Sequence, residues 1–296
     1  MIIVFNYRIT ALLNISMKTE NIFNSWASIA RVESYQEFMD IDNIKLTNLV
    51  LDRNLLVIKG ISPNLTDDQF YDLGQKFGKV WTREDYKKSF ITHGDDPTID
   101  QDSPKPISYF QTDNNMFRSN FMAYHADMPH VNELSYPGRA LYMVKNTTDG
   151  SGDTTWLNLE LAWEQLTQEE KDRFAEYEVV FQDMYAPETR METLPFLKIN
   201  PKTNKLSPRL NCYGHPGVPH MAWINSILKN SVTLTAREID LFMYNTYKLL
   251  ENKSNTLYRH VWELGDIIVY DNWFNVHKRE LVNGPRLLKR LSFNFV

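Results

Sequence analysis

The chain predicts a mainly β fold of the α+β kind, a sandwich or jelly roll with helices packed outside it. Three observations carry this. Short apolar runs bounded by turn residues recur along its whole length, from "LLVIKG" at 55–60 to "RLSFNF" at 290–295. Helix signals are few, and strands and helices do not alternate as a doubly wound sheet requires. No glycine-rich phosphate loop of the GxGxxG or GxxxxGK type is present.

Each element has its own warrant. Residues 1–16, "MIIVFNYRITALLNIS", are apolar but broken by Asn6, Tyr7 and Arg8, too short and too polar to span a bilayer. They are expected to be a disordered tail or an upstream start, with 17–296 forming one domain. After the strand at 55–60, "TDDQFYDLGQKFG" reads as a helix. Thr66 and Gln69 form a capping box, Phe70, Leu73 and Phe77 an apolar stripe, and Gly78 a stop. Strands are expected at 107–112, 121–126, 140–146 and 153–158. Thr167 with Glu170 opens a second helix, and strands follow at 178–183 and 196–199. "NPKTNKLSP" at 200–208 reads as a hairpin loop. Thr235 with Glu238 opens a third helix, with Ile239, Phe242, Met243 and Leu250 at helical spacing. Strands at 266–271 and 290–295 complete the set.

Composition narrows the function. The 296 residues are 43% hydrophobic and carry a net charge of −5, with basic residues scattered, which argues against nucleic acid or an anionic membrane as partner. The single cysteine, Cys212, excludes an internal disulfide and a cysteine-based zinc cluster. A reducing, cytoplasmic location fits that usage. Oligomeric state is not legible, and a homo-oligomer stays open.

The chemistry begins at "AYHADMP". His125 and Asp127 end a strand-like run, and the period of two puts both side chains on one face. The rival pair, His93 and Asp95 in "ITHGDDP", lies in a loop composition that holds no ligand geometry unaided. A 2-His-1-carboxylate site needs one more histidine. The candidates are His130, His215, His220, His260 and His277; of these His277 follows an apolar strand and an Asp-Asn turn. His215 and His220, in "YGHPGVPH", read as loop histidines. If 286–295 is a strand, Arg286 and Arg290 share a face, opposite Leu291, Phe293 and Phe295.

Four motifs in order, "HAD" at 125–127, "GDTTWLN" at 152–158, "DNWFNVH" at 271–277 and "RLLKR" at 286–290, resemble the taurine dioxygenase-like group of Fe(II)/2-oxoglutarate oxygenases. The segment 54–80 is similar to that family's N-terminal strand-helix unit, so the resemblance runs from about residue 50 to the C-terminus. It implies a double-stranded β-helix (jelly-roll) core with iron held by His125, Asp127 and His277. It also implies 2-oxoglutarate bound through Thr154, Arg286 and Arg290, with Arg290 facing either the co-substrate or an anionic group of the substrate. The implied activity uses dioxygen to oxidise a small organic molecule, by default through hydroxylation with desaturation or cyclisation as alternatives, releasing succinate and CO2; Arg290 makes an anionic substrate the expectation. The competing class is a non-catalytic jelly-roll module that binds a metal or small ligand.

The chain departs from the family pattern in places. Ser151 replaces the first glycine of Gly-Gly-Asp-Thr, and Tyr124 precedes the His-x-Asp pair where Trp or Phe is common. Taurine enzymes place a sulfonate-binding histidine just after the Phe-Gly of the first helix. Here Phe77-Gly78 is followed by Lys79, Val80 and Trp81, so taurine is not the expected substrate. The substrate pocket is expected between the motifs, over 81–122 and 184–223, with Tyr109, Phe110, Asn120 and Met128 as candidate contacts.

Overall fold

The computed structural model describes residues 18–21, 26–89, 99, 103–112, 121–127, 137–182, 191–200, 204–211 and 223–295. The expected tail at 1–16, the pair His93 and Asp95, and His130, His215, His220, Asn120 and Met128 lie outside these residues.

In the first half of the chain the strands are β1 (Lys18–Asn21), β2 (Ser28–Arg31), β3 (Leu55–Lys59), β4 (Gly78–Val80), β5 (Ser108–Gln111), β6 (Met122–His125) and β7 (Pro137–Lys145). Next come β8 (Thr154–Asn158), β9 (Tyr177–Gln182), β10 (Met191–Pro195), β11 (Leu197–Ile199), β12 (Leu206–Pro208) and β13 (Trp223–Lys229). The last are β14 (Val232–Thr233), β15 (Leu257–His260), β16 (Ile267–Asp271), β17 (Asn275–Arg279) and β18 (Leu287–Phe295). The helices are α1 (Tyr35–Asp40), α2 (Asn43–Arg53), α3 (Asp67–Gln75), α4 (Arg83–Ser89), α5 (Leu159–Glu164), α6 (Gln168–Asp172) and α7 (Ala236–Glu251). All three capping boxes form, at Thr66, Thr167 and Thr235. β11 and β12 pair antiparallel as a hairpin, but the loop is shorter than the expected 200–208, because Leu206–Pro208 form β12 itself. Among the described residues no helix is long and apolar enough to cross a membrane.

Two sheets build the jelly roll. The major sheet runs β1-β2-β3-β16-β7-β18-β4, with β5 also on β18; the minor sheet runs β15-β8-β17-β6. A further sheet, β10-β9-β13-β14, stands outside them. Side chains alternate between two buried faces, which is why these strands read as unbroken apolar runs. On one face of the major sheet, Leu56, Ile58, Ala140, Tyr142, Ile267, Val269, Leu291 and Phe293 pack with Phe38, Leu46, Val50, Phe70 and Leu73 of α1, α2 and α3. On the other face, Leu55, Val57, Leu141, Met143, Ile268 and Tyr270 meet Trp156 of the minor sheet. The outer face of the minor sheet, through Tyr124, Leu157 and Val276, packs on α5, α7 and the third sheet.

Gly78 does not stop the helix as expected. α3 ends at Gln75, and Gly78 begins β4, where an added Cβ would lie 2.0 Å from the Asn294 carbonyl oxygen of β18. Its lack of a side chain serves close strand approach.

Candidate active site

The antiparallel pairing of β17 with β6 sets His277 directly opposite His125, with ring centroids 4.1 Å apart. A bulge follows in this ladder, between His277 and Arg279. Asp127 lies two residues beyond the end of β6. Ligand atoms of His125, Asp127 and His277 all fall within 4.8 Å of one another, and all three residues are buried. His125 Nδ1 lies 2.8 Å from the Ala123 carbonyl oxygen; a proton there leaves the Nε2 lone pair free, 4.0 Å from Asp127 Oδ1. His277 stacks on Trp156 at 6.0 Å and meets Tyr270 edge-on at 5.4 Å.

Charge states follow from burial. Desolvation, with His125 adding to it, pushes His277 down to about 3, and burial lowers His125 as well. Burial alone would raise the Asp127 carboxyl, but the guanidinium charges of Arg290 and Arg139 hold it well below the usual carboxylate range. Two neutral imidazoles and an ionised carboxylate are the protonation states that metal binding needs. This donor set fits non-haem Fe(II), with coordination positions left for other ligands.

Asp127 is held from every side. Asn272 clamps its backbone twice: Nδ2 donates to the Asp127 carbonyl at 2.6 Å, and Oδ1 accepts the Asp127 N–H at 3.1 Å. Arg290 NH1 lies 3.0 Å from Oδ1, the Tyr270 hydroxyl donates to Oδ2 at 3.2 Å, and Arg139 Nε stands 3.9 Å from Oδ2. The turn that carries Asn272 is itself pinned, because Asp271 Oδ1 accepts the N–H groups of Trp273 and Phe274. Asn275 Nδ2 donates to the Asp271 and Asn54 carbonyls.

A second constellation lies on the other side of Trp156. Trp262 Nε1 donates to Thr154 Oγ1 at 2.9 Å, which leaves the threonine proton available to another acceptor. Trp262 is 6.4 Å from Trp156, ring to ring, and 5.8 Å from the Arg286 guanidinium carbon. Arg286 is 2% exposed, yet its Nε, NH1 and NH2 have no hydrogen-bond partner, and neither has Trp156 Nε1. Burial, with Arg279 acting in the same direction, pulls the guanidinium down to about 9. A buried cation without an anion is costly, and a planar fork fits a carboxylate. Gly152 makes room for it: φ is +92°, and a Cβ there would meet Val282 at 2.7 Å and Arg286 NH1 at 3.0 Å. Ser151 is accommodated, its Oγ accepting the Asn283 N–H at 2.7 Å.

Of the residues expected to line the substrate pocket, Tyr109 is corrected. Neighbours on a strand face opposite ways, and Tyr109 turns toward α3, its hydroxyl donating to Asp67 at 2.5 Å. Phe110 faces inward, with the Arg290 guanidinium carbon 4.6 Å from its ring centre. Sequence reasoning missed Asn272, Tyr270, Trp262 and Arg139. The first two sit inside a quoted motif or beside it, whereas Arg139 reads as a solvated strand end. His260, a candidate third histidine, instead bonds Asp266 at 2.9 Å and Tyr258 at 2.8 Å.

Comparison with known proteins places this geometry. The family described as "Taurine catabolism dioxygenase TauD, TfdA family" matches residues 27–292. No curated protein matches the chain. Among solved structures it is similar to a taurine dioxygenase from Burkholderia xenovorans (TM-score 0.68, 15% identity, 95% of this chain and 90% of that one). It is similar also to AAD-2 in complex with Mn(II) and N-oxalylglycine (TM-score 0.67, 14% identity, 95% and 98%). A third is PvcB, an Fe, alpha-ketoglutarate dependent oxygenase from an isonitrile synthetic pathway (TM-score 0.64, 15% identity, 90% and 85%). At such identities these likenesses speak for the double-stranded β-helix fold, while the family match spans nearly the whole chain. The chain belongs to the taurine catabolism dioxygenase TauD, TfdA family, and is a dioxygenase of the Fe(II)/2-oxoglutarate-dependent class.

Proposed function

We propose that His125, Asp127 and His277 hold the Fe(II), and that Thr154 and Arg286 receive the distal carboxylate of 2-oxoglutarate. The reaction we assign is hydroxylation of a small anionic organic molecule, with release of succinate and CO2. The observation that carries the reading is Arg286, a buried guanidinium with three unbonded nitrogens beside a free threonine proton. A non-catalytic binding module has no use for a second anion slot next to a metal triad.

Bound iron and 2-oxoglutarate supply the oxidising power once dioxygen enters; the protein positions and encloses. The Ala123 carbonyl fixes the His125 ring and its tautomer. Asn272 fixes the Asp127 backbone, and Trp156 with Tyr270 walls His277 off from water. The contact of Arg290 with Asp127, 3.0 Å from NH1 to Oδ1, supports a role for it toward an anion near the metal rather than the distal co-substrate carboxylate. The dispersed charge and single cysteine support a cytoplasmic location.

The test is succinate release by the purified protein with Fe(II), ascorbate and 2-oxoglutarate across a panel of small acids and amino acids. His125→Ala or Asp127→Ala should abolish it. Full turnover by Asp127→Ala would sink the metal assignment.

A further inference from the structure

His260 is buried at the end of β15, and strand register places it beside the co-substrate slot. Antiparallel pairing sets His260 directly opposite Thr154, and Tyr258 directly opposite Trp156. Cross-strand partners share a face, so all four side chains point the same way.

The His260 ring is fixed at both nitrogens. Nε2 lies 2.9 Å from Asp266 Oδ2, and Nδ1 lies 2.8 Å from the Tyr258 hydroxyl. Asp266 is itself anchored to the major sheet. The same Oδ2 accepts the Glu263 N–H at 2.9 Å and Lys59 Nζ of β3 at 3.0 Å, and the Asp266 carbonyl accepts the Met143 N–H of β7. Burial would raise the Asp266 carboxyl, but these hydrogen bonds outweigh it and keep the group ionised. Burial, with Asp266 adding to it, raises the Tyr258 hydroxyl and keeps it protonated. A carboxylate only accepts, so Nε2 carries the ring proton and the Tyr258 hydroxyl donates to Nδ1. One tautomer and one ring orientation are thereby set.

The two indoles of the slot lean on this pair. Trp262 stands at 86° to the His260 ring with centroids 4.7 Å apart, and Trp156 stacks on Tyr258 at 6.2 Å. An indole has a single N–H, and a half turn of the ring carries it to the other side. The 2.9 Å bond from Trp262 Nε1 to Thr154 Oγ1 therefore depends on what holds the ring. Asn146 fixes the Trp262 backbone, donating to its carbonyl at 2.7 Å, but not the indole. For stability alone, apolar side chains of similar volume would serve as well as a buried His-Asp pair.

We infer that His260 is a positioning residue for the co-substrate. Anchored by Asp266 and Tyr258, it holds the Trp262 indole so that Nε1 donates to Thr154 Oγ1 and turns the threonine proton toward the distal carboxylate of 2-oxoglutarate. This rests on the function proposed above, because Thr154 must face 2-oxoglutarate. The relay braces a slot of the minor sheet against β3 and β7 of the major one.

The test reads the dissociation constant for 2-oxoglutarate from the visible band of the anaerobic Fe(II) complex, with Fe(II) affinity measured separately. His260→Gln keeps a donor for Asp266 but removes the ring beside Trp262. It should weaken 2-oxoglutarate roughly 3–10-fold with Fe(II) affinity unchanged. In a Thr154→Val background the same change should add less than about twofold, because the hydroxyl it acts through is gone. A His260→Gln protein within about twofold of the parent overturns the inference. So does an equal loss in both backgrounds, which general loosening would give, and so does a loss of Fe(II) affinity alongside. If His260→Gln does not fold, Tyr258→Phe carries the test, since it keeps both rings and leaves Nδ1 without its donor. It should weaken 2-oxoglutarate about twofold or more, and an unchanged constant overturns the inference. A parent that shows no visible band, or a Thr154→Val protein that binds 2-oxoglutarate as the parent does, sinks the proposed function instead, so the two failures are distinct.

Discussion

Replacing Arg286 with methionine separates what this residue costs the fold from what it gives the co-substrate. Its guanidinium is 2% exposed, with three nitrogens unbonded, enclosed by Gly152, Val282 and Trp262. Exchanging a poorly compensated buried ion for an apolar side chain of similar volume stabilises by roughly 1–4 kcal/mol. For a chain of this length 1 kcal/mol corresponds to about 2 °C in melting temperature. Arg286→Met without ligand should therefore melt roughly 2–8 °C above the parent. The same change removes one partner of a buried charged pair with 2-oxoglutarate, a loss of roughly 2–5 kcal/mol, or about 30-fold and upward in affinity. With N-oxalylglycine added to the Mn(II)-loaded protein at about 100 times the parent's dissociation constant, the parent gains about 2.7 kcal/mol and the variant at most about 0.9 kcal/mol. Scanning calorimetry with and without N-oxalylglycine should thus show the parent gaining at least about three times what the variant gains. Arg286→Lys keeps the charge and should lose the ligand-induced gain without the added stability. A methionine variant that is less stable than the parent by more than about 1 kcal/mol, or that keeps the ligand-induced rise, refutes the assignment.

Two further outcomes are expected. Trp262→Phe removes the donor to Thr154 Oγ1, so the hydroxyl is no longer oriented; the dissociation constant for 2-oxoglutarate should rise roughly 2–13-fold with Fe(II) binding unchanged, measured by the visible band of the anaerobic complex. The second concerns pH. Burial alone would raise the Asp266 carboxyl, but hydrogen bonds from His260, the Glu263 N–H and Lys59 outweigh it and hold it below the ordinary value of 3.8. A lowered carboxylate contributes stability that is complete above the unfolded pKa and lost as pH falls through the folded one. Asp266→Asn should therefore flatten the decline in denaturant midpoint below about pH 4, and an unaltered decline would show that this network is not its source.

The sequence made the local features plain and hid the distant ones. Capping boxes at Thr66, Thr167 and Thr235 are readable because both partners lie within one turn. β17, "NVHKR", escaped notice because its inner face carries Asn275, His277 and Arg279 in place of an apolar alternation. The clamp of Asn272 on Asp127 joins residues 145 apart and leaves no local trace. Three-residue β4 was hidden behind Gly78, which imitates a helix stop. Tyr109 and Phe110 could not both face inward, since adjacent strand positions point oppositely; composition cannot choose between them, and tertiary pairing with Asp67 did.

These failures share a cause in how the sheets are buried. In a half-exposed sheet, polar residues point to water. Here both faces of the major sheet are covered, and the outer cluster of Leu56, Ile58, Val269, Leu291 and Phe293 against the helices supplies the apolar burial. Each such side chain contributes about 1.5–3 kcal/mol. That stabilisation offsets an inner face where Arg139, Ser108 and Ser292 are buried with unbonded atoms, at roughly 1–3 kcal/mol for each unsatisfied group. A polar residue buried at an inward position of an otherwise apolar strand, as Arg139 is on β7, is therefore a signal that apolar alternation along the sequence cannot supply.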